Sequence, residues 1–214
     1  MSRIKGINAQ WAMISALWNA TILDPLQFEI IFDDFPPQDL IAHIRAAKAA
    51  GLHVALRLEM FPPPASPTEG NARLDALFQR MQSFSLYFAN VAKQEGVEML
   101  VLESVPWNSD TYFSDLDGAT RTYINAKWKA LVAAIRASGY NGKLTTDQLA
   151  NYPELDWYGD LDYLGESWWF QPVAITDSDT VQSVYDRTIE LLNSWYLPAV
   201  NRFHKPLIFV QVEY

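Results

Sequence analysis

One pattern constrains this chain more than any other: an amphipathic helix, a glycine and a short apolar strand, repeated in that order. Pro36-Pro37-Gln38-Asp39 opens a helix whose apolar positions Leu40, Ile41, Ile44 and Ala47 recur at helical spacing, and Gly51 closes it. His53 to Glu59 follows as a strand and stops at Phe61-Pro62-Pro63-Pro64. A second helix from about Ala72 carries Leu77, Phe84, Phe88 and Val91 to Gly96, and Val97 to Glu103 is the next strand. The third cycle is helix Thr120 to Ser138, Gly139, then strand Lys143 to Asp147. These glycines fall roughly 45 residues apart, which suits successive strand–helix units.

The remaining segments extend the rhythm. Trp11 to Leu17 reads as the first strand, entered from a residual helix end at Arg3 to Gly6. Leu161 to Trp168, a helix around Thr180 to Tyr196, and a last strand from Pro206 to Glu213 complete the series. Six strands joined by helices or long loops are expected to run parallel, and right-handed crossovers curl such a series into a barrel or a doubly wound sheet. No glycine-rich phosphate loop follows any strand, so a nucleotide-binding sheet loses ground. The expectation is a single α/β domain of the (β/α)8 barrel type over residues 1–214.

Composition narrows the partners. A net charge of −9 and a pI near 4.7 argue against nucleic acid, whose phosphates need a basic face. No stretch reaches the roughly 18 uninterrupted apolar residues of a membrane span. Cysteine is absent, which removes disulfides and thiolate metal sites. His43, His53 and His204 are scattered without His-x-His or His-Glu-x-x-His spacing, so neither a metal nor another cofactor is expected. The unusual feature is the aromatic load of 8 Trp, 10 Tyr and 11 Phe, several of them near strand ends.

In parallel barrels the site is built at the carboxyl ends of the strands. Those ends carry Trp18, Glu59, Glu103 followed by Trp107, Asp147, Glu166 with Trp168 and Trp169, and finally Gln211 and Glu213. Paired carboxylates do acid and nucleophile work on acetals, and indole faces stack on the apolar faces of sugar rings. The constellation points to carbohydrate. Each piece also has a plainer reading. A strand-end Glu is commonly solvated or salt-bridged, Trp168-Trp169 could be packing, Asp147 a loop cap, and Glu166 the inward partner of an Arg or Lys.

The order of these segments resembles the clan A glycoside hydrolases, and in particular the family 113 endo-β-mannanases. The resemblance rests on Trp11-Ala-Met-Ile-Ser-Ala-Leu-Trp18, Ala50-Gly-Leu-His-Val-Ala-Leu-Arg57, and Tyr87-Phe-Ala-Asn-Val-Ala92 leading to Gly96-Val-Glu-Met-Leu-Val-Leu-Glu103. Trp128-Lys-Ala-Leu-Val-Ala-Ala-Ile-Arg136, Leu161-Asp-Tyr-Leu-Gly165 and Lys205-Pro-Leu-Ile-Phe209 continue it. It implies an acid/base Glu at the end of the fourth barrel strand, which falls on Glu103, and a nucleophile Glu at the end of the seventh. There the family's Lys-Pro-x-x-Phe-x-Glu-x-Gly-Tyr reads Lys-Pro-Leu-Ile-Phe-Val-Gln-Val-Glu-Tyr, so Gln211 stands at the nucleophile position and Glu213 at the glycine.

An amide cannot form the glycosyl ester of a retaining enzyme. Either Glu213 takes the role or double displacement is lost. A step of two residues moves a side chain by roughly 6.5 Å, whereas retaining carboxyl groups sit about 5–5.5 Å apart and inverting ones about 6.5–9.5 Å. The resemblance also implies that Trp11 to Leu17 is the second barrel strand, so that strands two to seven are present and the barrel is incomplete. The expected function is hydrolysis of a β-linked poly- or oligosaccharide, with Trp18, Glu59, Trp107, Asp147, Glu166, Trp168 and Trp169 as substrate-binding residues. A non-catalytic carbohydrate-binding barrel is the rival, and an interaction barrel with a solvated acidic rim a third reading. The family implies an extracellular or cell-envelope setting, although Met1-Ser-Arg-Ile-Lys-Gly6 carries no secretory signal.

Overall fold

A computed structural model describes residues 9–24, 27–31, 37–61, 71–102, 118–147, 155–168, 176 and 178–212. The strands are β1 (Trp11–Asp24), β2 (Gln27–Ile31), β3 (His53–Phe61), β4 (Met99–Leu102), β5 (Lys143–Thr146), β6 (Leu164–Trp168) and β7 (Leu207–Val212). The helices are α1 (Pro37–Ala49), α2 (Asn71–Glu95), α3 (Gly118–Ala137), α4 (Val181–Leu191) and α5 (Leu197–Phe203). A 3-10 turn, Asp156–Asp160, precedes β6, and a π-helical turn, Leu192–Tyr196, joins α4 to α5. The expected helix end at Arg3 to Gly6 lies outside the described residues.

The three repeat glycines do what their spacing predicts. Gly51, Gly96 and Gly139 have φ of 77°, 67° and 85°, the left-handed conformation that ends a helix and turns the chain into the next strand. The helix before β7 ends the same way without a glycine. His204 caps α5 at φ 52°, its N–H bonding Val200 O at 2.8 Å.

β1, β3, β4 and β5 are parallel neighbours in a five-stranded sheet of order β2-β1-β3-β4-β5, and β6 and β7 form a parallel pair. Two features depart from expectation. The strand begun at Trp11 continues to Asp24 and folds back as β2, an antiparallel hairpin pairing Asn19 with Ile31 and Asp24 with Gln27. The final helical region is not one helix but α4 and α5 around the π turn, with Pro198 accommodated in the first turn of α5, where no N–H is required.

Strand alternation sorts side chains onto two faces. Val54, Leu56 and Leu58 of β3, Leu100 and Leu102 of β4, Leu144 of β5 and Leu164 of β6 join the helices in the main core. That layer includes Trp128 of α3, stacked on Trp157 at 4.6 Å and met edge-on by Phe78 of α2. The opposite face holds a small inner core of Ala55, Met99 and Val101, against which Tyr163, Ile208 and Val210 pack. A flat sheet would keep β3 and β7 far apart, so these contacts require the strands to curl. Bonds from Asp162 N to Leu144 O at 2.9 Å and from Ser167 N to Asp147 O at 2.5 Å tie β5 to the β6–β7 pair. The strands therefore make part of a (β/α) barrel, with an outer layer against the helices and a lumen inside.

Candidate active site

Every second residue of β3 faces the lumen. Beyond Ala55 in the inner core come Arg57 and Glu59, at the carboxyl end of the strand where barrels of this type carry their sites. Arg57 is buried, with its side chain only 4% exposed, and its guanidinium organises the rim. Nε and Nη2 both donate to Asp147 Oδ2, at 3.2 and 2.9 Å. Nη1 donates to Gln211 Oε1 at 2.6 Å and lies 2.8 Å from Glu59 Oε1. Ser15 of β1 adds a hydroxyl donor to the same Glu59 oxygen at 3.2 Å. Residues from β1, β3, β7 and the end of β5 are thus joined by one cation.

Gln211 reaches this group through a bulge in β7. Gly165 pairs with Ile208 and Glu166 with Phe209, but Ser167 pairs with Gln211, leaving Val210 as an extra residue. Phe209 points outward and meets Tyr196 edge-on at 6.0 Å, while Ile208 and Val210 pack on the inner core. With strict alternation Gln211 would share the outward face of Phe209. The extra residue turns it inward, to Arg57.

Arg57 can only donate, so the amide oxygen of Gln211 must face it and the amide nitrogen must face away. Among the described residues, one guanidinium, two carboxylates and an amide meet at a mostly buried rim. Taking these charges out of water is costly, and the guanidinium's bonds to both acids offset that cost. Ser167, in register with Gln211, is also buried, and its Oγ has no hydrogen-bond partner among the described residues.

Of the residues expected at the site, Glu59, Asp147 and Gln211 come together around Arg57. Glu166 shares the strand parity of Leu164, which joins the helix-facing core, and burial and the Glu166 charge together push the Tyr196 phenol well above its ordinary range. Trp18 and Trp168 lie on β1 and β6, opposite Met60 and Val212 in the pairing, and their side chains are outside what the structure describes. Glu103, Trp107, Trp169 and Glu213 lie outside the described residues. The residue that sequence reasoning passed over is Arg57. Its signal was present: a lone charge between Leu56 and Leu58 in an apolar strand, two positions before a strand-end Glu. No helix among the described residues is long and apolar enough to cross a membrane.

The architecture is that of the TIM-barrel class, present here in part. Among solved structures the chain resembles a family 113 β-1,4-mannanase, with a TM-score of 0.64 at 19% identity over 97% of this chain and 62% of that one. A family 113 β-mannanase from Alicyclobacillus acidocaldarius, in complex with ManMIm, gives 0.66 at 16% identity, covering 97% and 63%. A family 18 chitinase from Pseudoalteromonas aurantia gives 0.50 at 12% identity, covering 92% and 71%. The chain thus shares the barrel fold of these glycoside hydrolases and spans less than two thirds of the length of the mannanases. No family model matches the chain, and no curated protein matches it by sequence.

Proposed function

We propose that the chain is the site-bearing part of a glycoside hydrolase that acts on a β-linked poly- or oligosaccharide. The observation that carries this reading is the lumen-facing group of Arg57, Glu59, Asp147 and Gln211 at the carboxyl ends of the strands. Carboxylates at strand ends suit the chemistry of barrel enzymes, and the Ser167 hydroxyl, without a hydrogen-bond partner among the described residues, would be a partner for a sugar hydroxyl. Glu103 is the acid/base of this reading. Met99 and Val101 of β4 face the lumen, and Glu103 follows Val101 by two positions in the sequence. Glu103 would protonate the leaving oxygen and then activate water, with Trp18, Trp107, Trp168 and Trp169 as stacking surfaces for sugar rings.

The test is hydrolysis of mannan and glucan oligosaccharides by the full-length protein, followed by product chromatography. Glu103→Gln is expected to lower turnover by about 10²–10⁴-fold. Unchanged turnover in that variant ends the assignment.

The amide at Gln211 favours a second reading, a barrel that binds saccharide without cleaving it. Calorimetric binding of the same oligosaccharides with no products released, and loss of that binding in Trp168→Ala, would support it over the enzyme.

A further inference from the structure

We propose that Glu59 is the nucleophile of this site, supplying from β3 the carboxylate that Gln211 lacks on β7. The inference rests on the glycosidase reading above and names the second carboxylate that reading needs.

Position carries it first. Glu59 Oε1 and Gln211 Oε1 lie 2.8 and 2.6 Å from the same nitrogen, Nη1 of Arg57. The two oxygens are therefore no further apart than those two lengths end to end, and the Glu59 carboxylate adjoins the strand-seven position.

Access and charge select Glu59 over its neighbours. Asp147 has a side chain with no exposure, and its Oδ2 takes two bonds from Arg57, so a sugar cannot reach it. The Glu59 side chain keeps 14% exposure. Its contacts among the described residues, with Arg57 and Ser15, are both made through Oε1, which leaves Oε2 as the attacking oxygen. A glutamate at 211 would add a third acid to the two that Arg57 holds among the described residues. Glutamine there keeps the hydrogen bond without adding the third charge. In this account Gln211 is the companion of a relocated carboxylate, and Arg57 is a positioning residue for both.

The chemistry balances. Glu59 Oε2 bonds to the anomeric carbon as the glycosidic carbon–oxygen bond breaks, and the departing oxygen takes the proton of Glu103. A water then gives its proton to Glu103 and its oxygen to the anomeric carbon, which frees the Glu59 carboxylate and completes hydrolysis with retention.

The experiment treats the full-length protein with 2,4-dinitrophenyl 2-deoxy-2-fluoro-β-mannoside and the corresponding glucoside, then maps the modified peptide by mass spectrometry. One fluoroglycosyl group on Glu59 is expected. Glu59→Ala is expected to lose more than about 10³-fold in oligosaccharide turnover, with azide restoring part of it and yielding an α-glycosyl azide. An Ala variant that is merely misfolded gives no azide product, and circular dichroism separates that case; Glu59→Gln, which keeps the side-chain shape, must then be inactive while folded. A label on Glu213 or any other residue, products of inverted configuration by NMR, or an active Glu59→Gln enzyme overturns the proposal and leaves the glycosidase reading intact. A wild-type protein that cleaves no β-linked oligosaccharide overturns both.

Discussion

At the amino ends of the strands, acids gather cations; at the carboxyl ends, one cation gathers acids. Glu98, just before β4, bonds Lys48 at the end of α1, His53 at the start of β3, and the Val54 N–H at 2.8 Å. Asp162, just before β6, bonds Arg136 at the end of α3, Lys143 at the start of β5, and the Leu144 N–H at 2.8 Å. The two constructions are alike: a carboxylate just ahead of one strand holds the N–H of the second residue of the preceding strand and the cation closing the helix that leads into that preceding strand. Both are partly exposed, and each staples one strand–helix unit to the next. The Arg57 group inverts the pattern. Its cation is enclosed, it holds two acids among the described residues, and its partners come from strands far apart in sequence. At the amino rim charges tie neighbouring units together, and among the described residues of the carboxyl rim two acids share one buried cation.

Removing the cation of the carboxyl rim should have the largest effect. Arg57→Met leaves Asp147 and Glu59 without their guanidinium, and is expected to cost about 3–5 kcal/mol in urea unfolding. Adding Asp147→Asn should return part of that loss by removing one buried charge. An Arg57→Met protein as stable as wild type would mean that the two rims do not differ as described.

The amino rim should respond more mildly and through pH. Burial pushes the Glu98 carboxyl up, but Lys48, the Val54 N–H and His53 outweigh it and hold Glu98 below the usual carboxylate range. Burial likewise raises Asp162, and the Leu144 N–H with Arg136 and Lys143 brings it below. A carboxyl depressed by folding stabilises at pH above its unfolded value, near about 4, and that contribution disappears as pH falls through the lower folded value. Asp162→Asn should therefore cost about 1–3 kcal/mol at neutral pH and flatten the fall in stability below about pH 4. Equal loss at pH 7 and in strong acid would assign the effect to packing instead.

The smallest effect is expected where the last helix turns into β7. His204 takes the left-handed conformation that Gly51, Gly96 and Gly139 adopt at the equivalent turns. His204→Gly should raise stability by up to about 1 kcal/mol, read as a higher melting temperature. A destabilised variant would show that the histidine side chain contributes more than its backbone strain costs.

The helix–glycine–strand rhythm was legible because each of its signals is local. A helical period, a left-handed glycine and a short β-branched run lie within a few residues of one another, and Gly51, Gly96 and Gly139 mark the turns in the chain itself. The β1–β2 hairpin was less visible, although Phe28-Glu29-Ile30-Ile31 after Asp24-Pro25 has the composition of a strand behind a turn. Glu59, Asp147 and Gln211 could be placed at strand ends by counting. That they share one arginine could not be, since Arg57 and Gln211 are 154 residues apart in the chain.

The sequence by itself determined most of the helices and strands and their order, consequences of local period and turn chemistry. Only the tertiary structure decided which way the decisive side chains face. A strand alternates with a period of two, so the single extra residue at Val210 turns Gln211 into the lumen, while Glu166 keeps the parity of helix-facing Leu164.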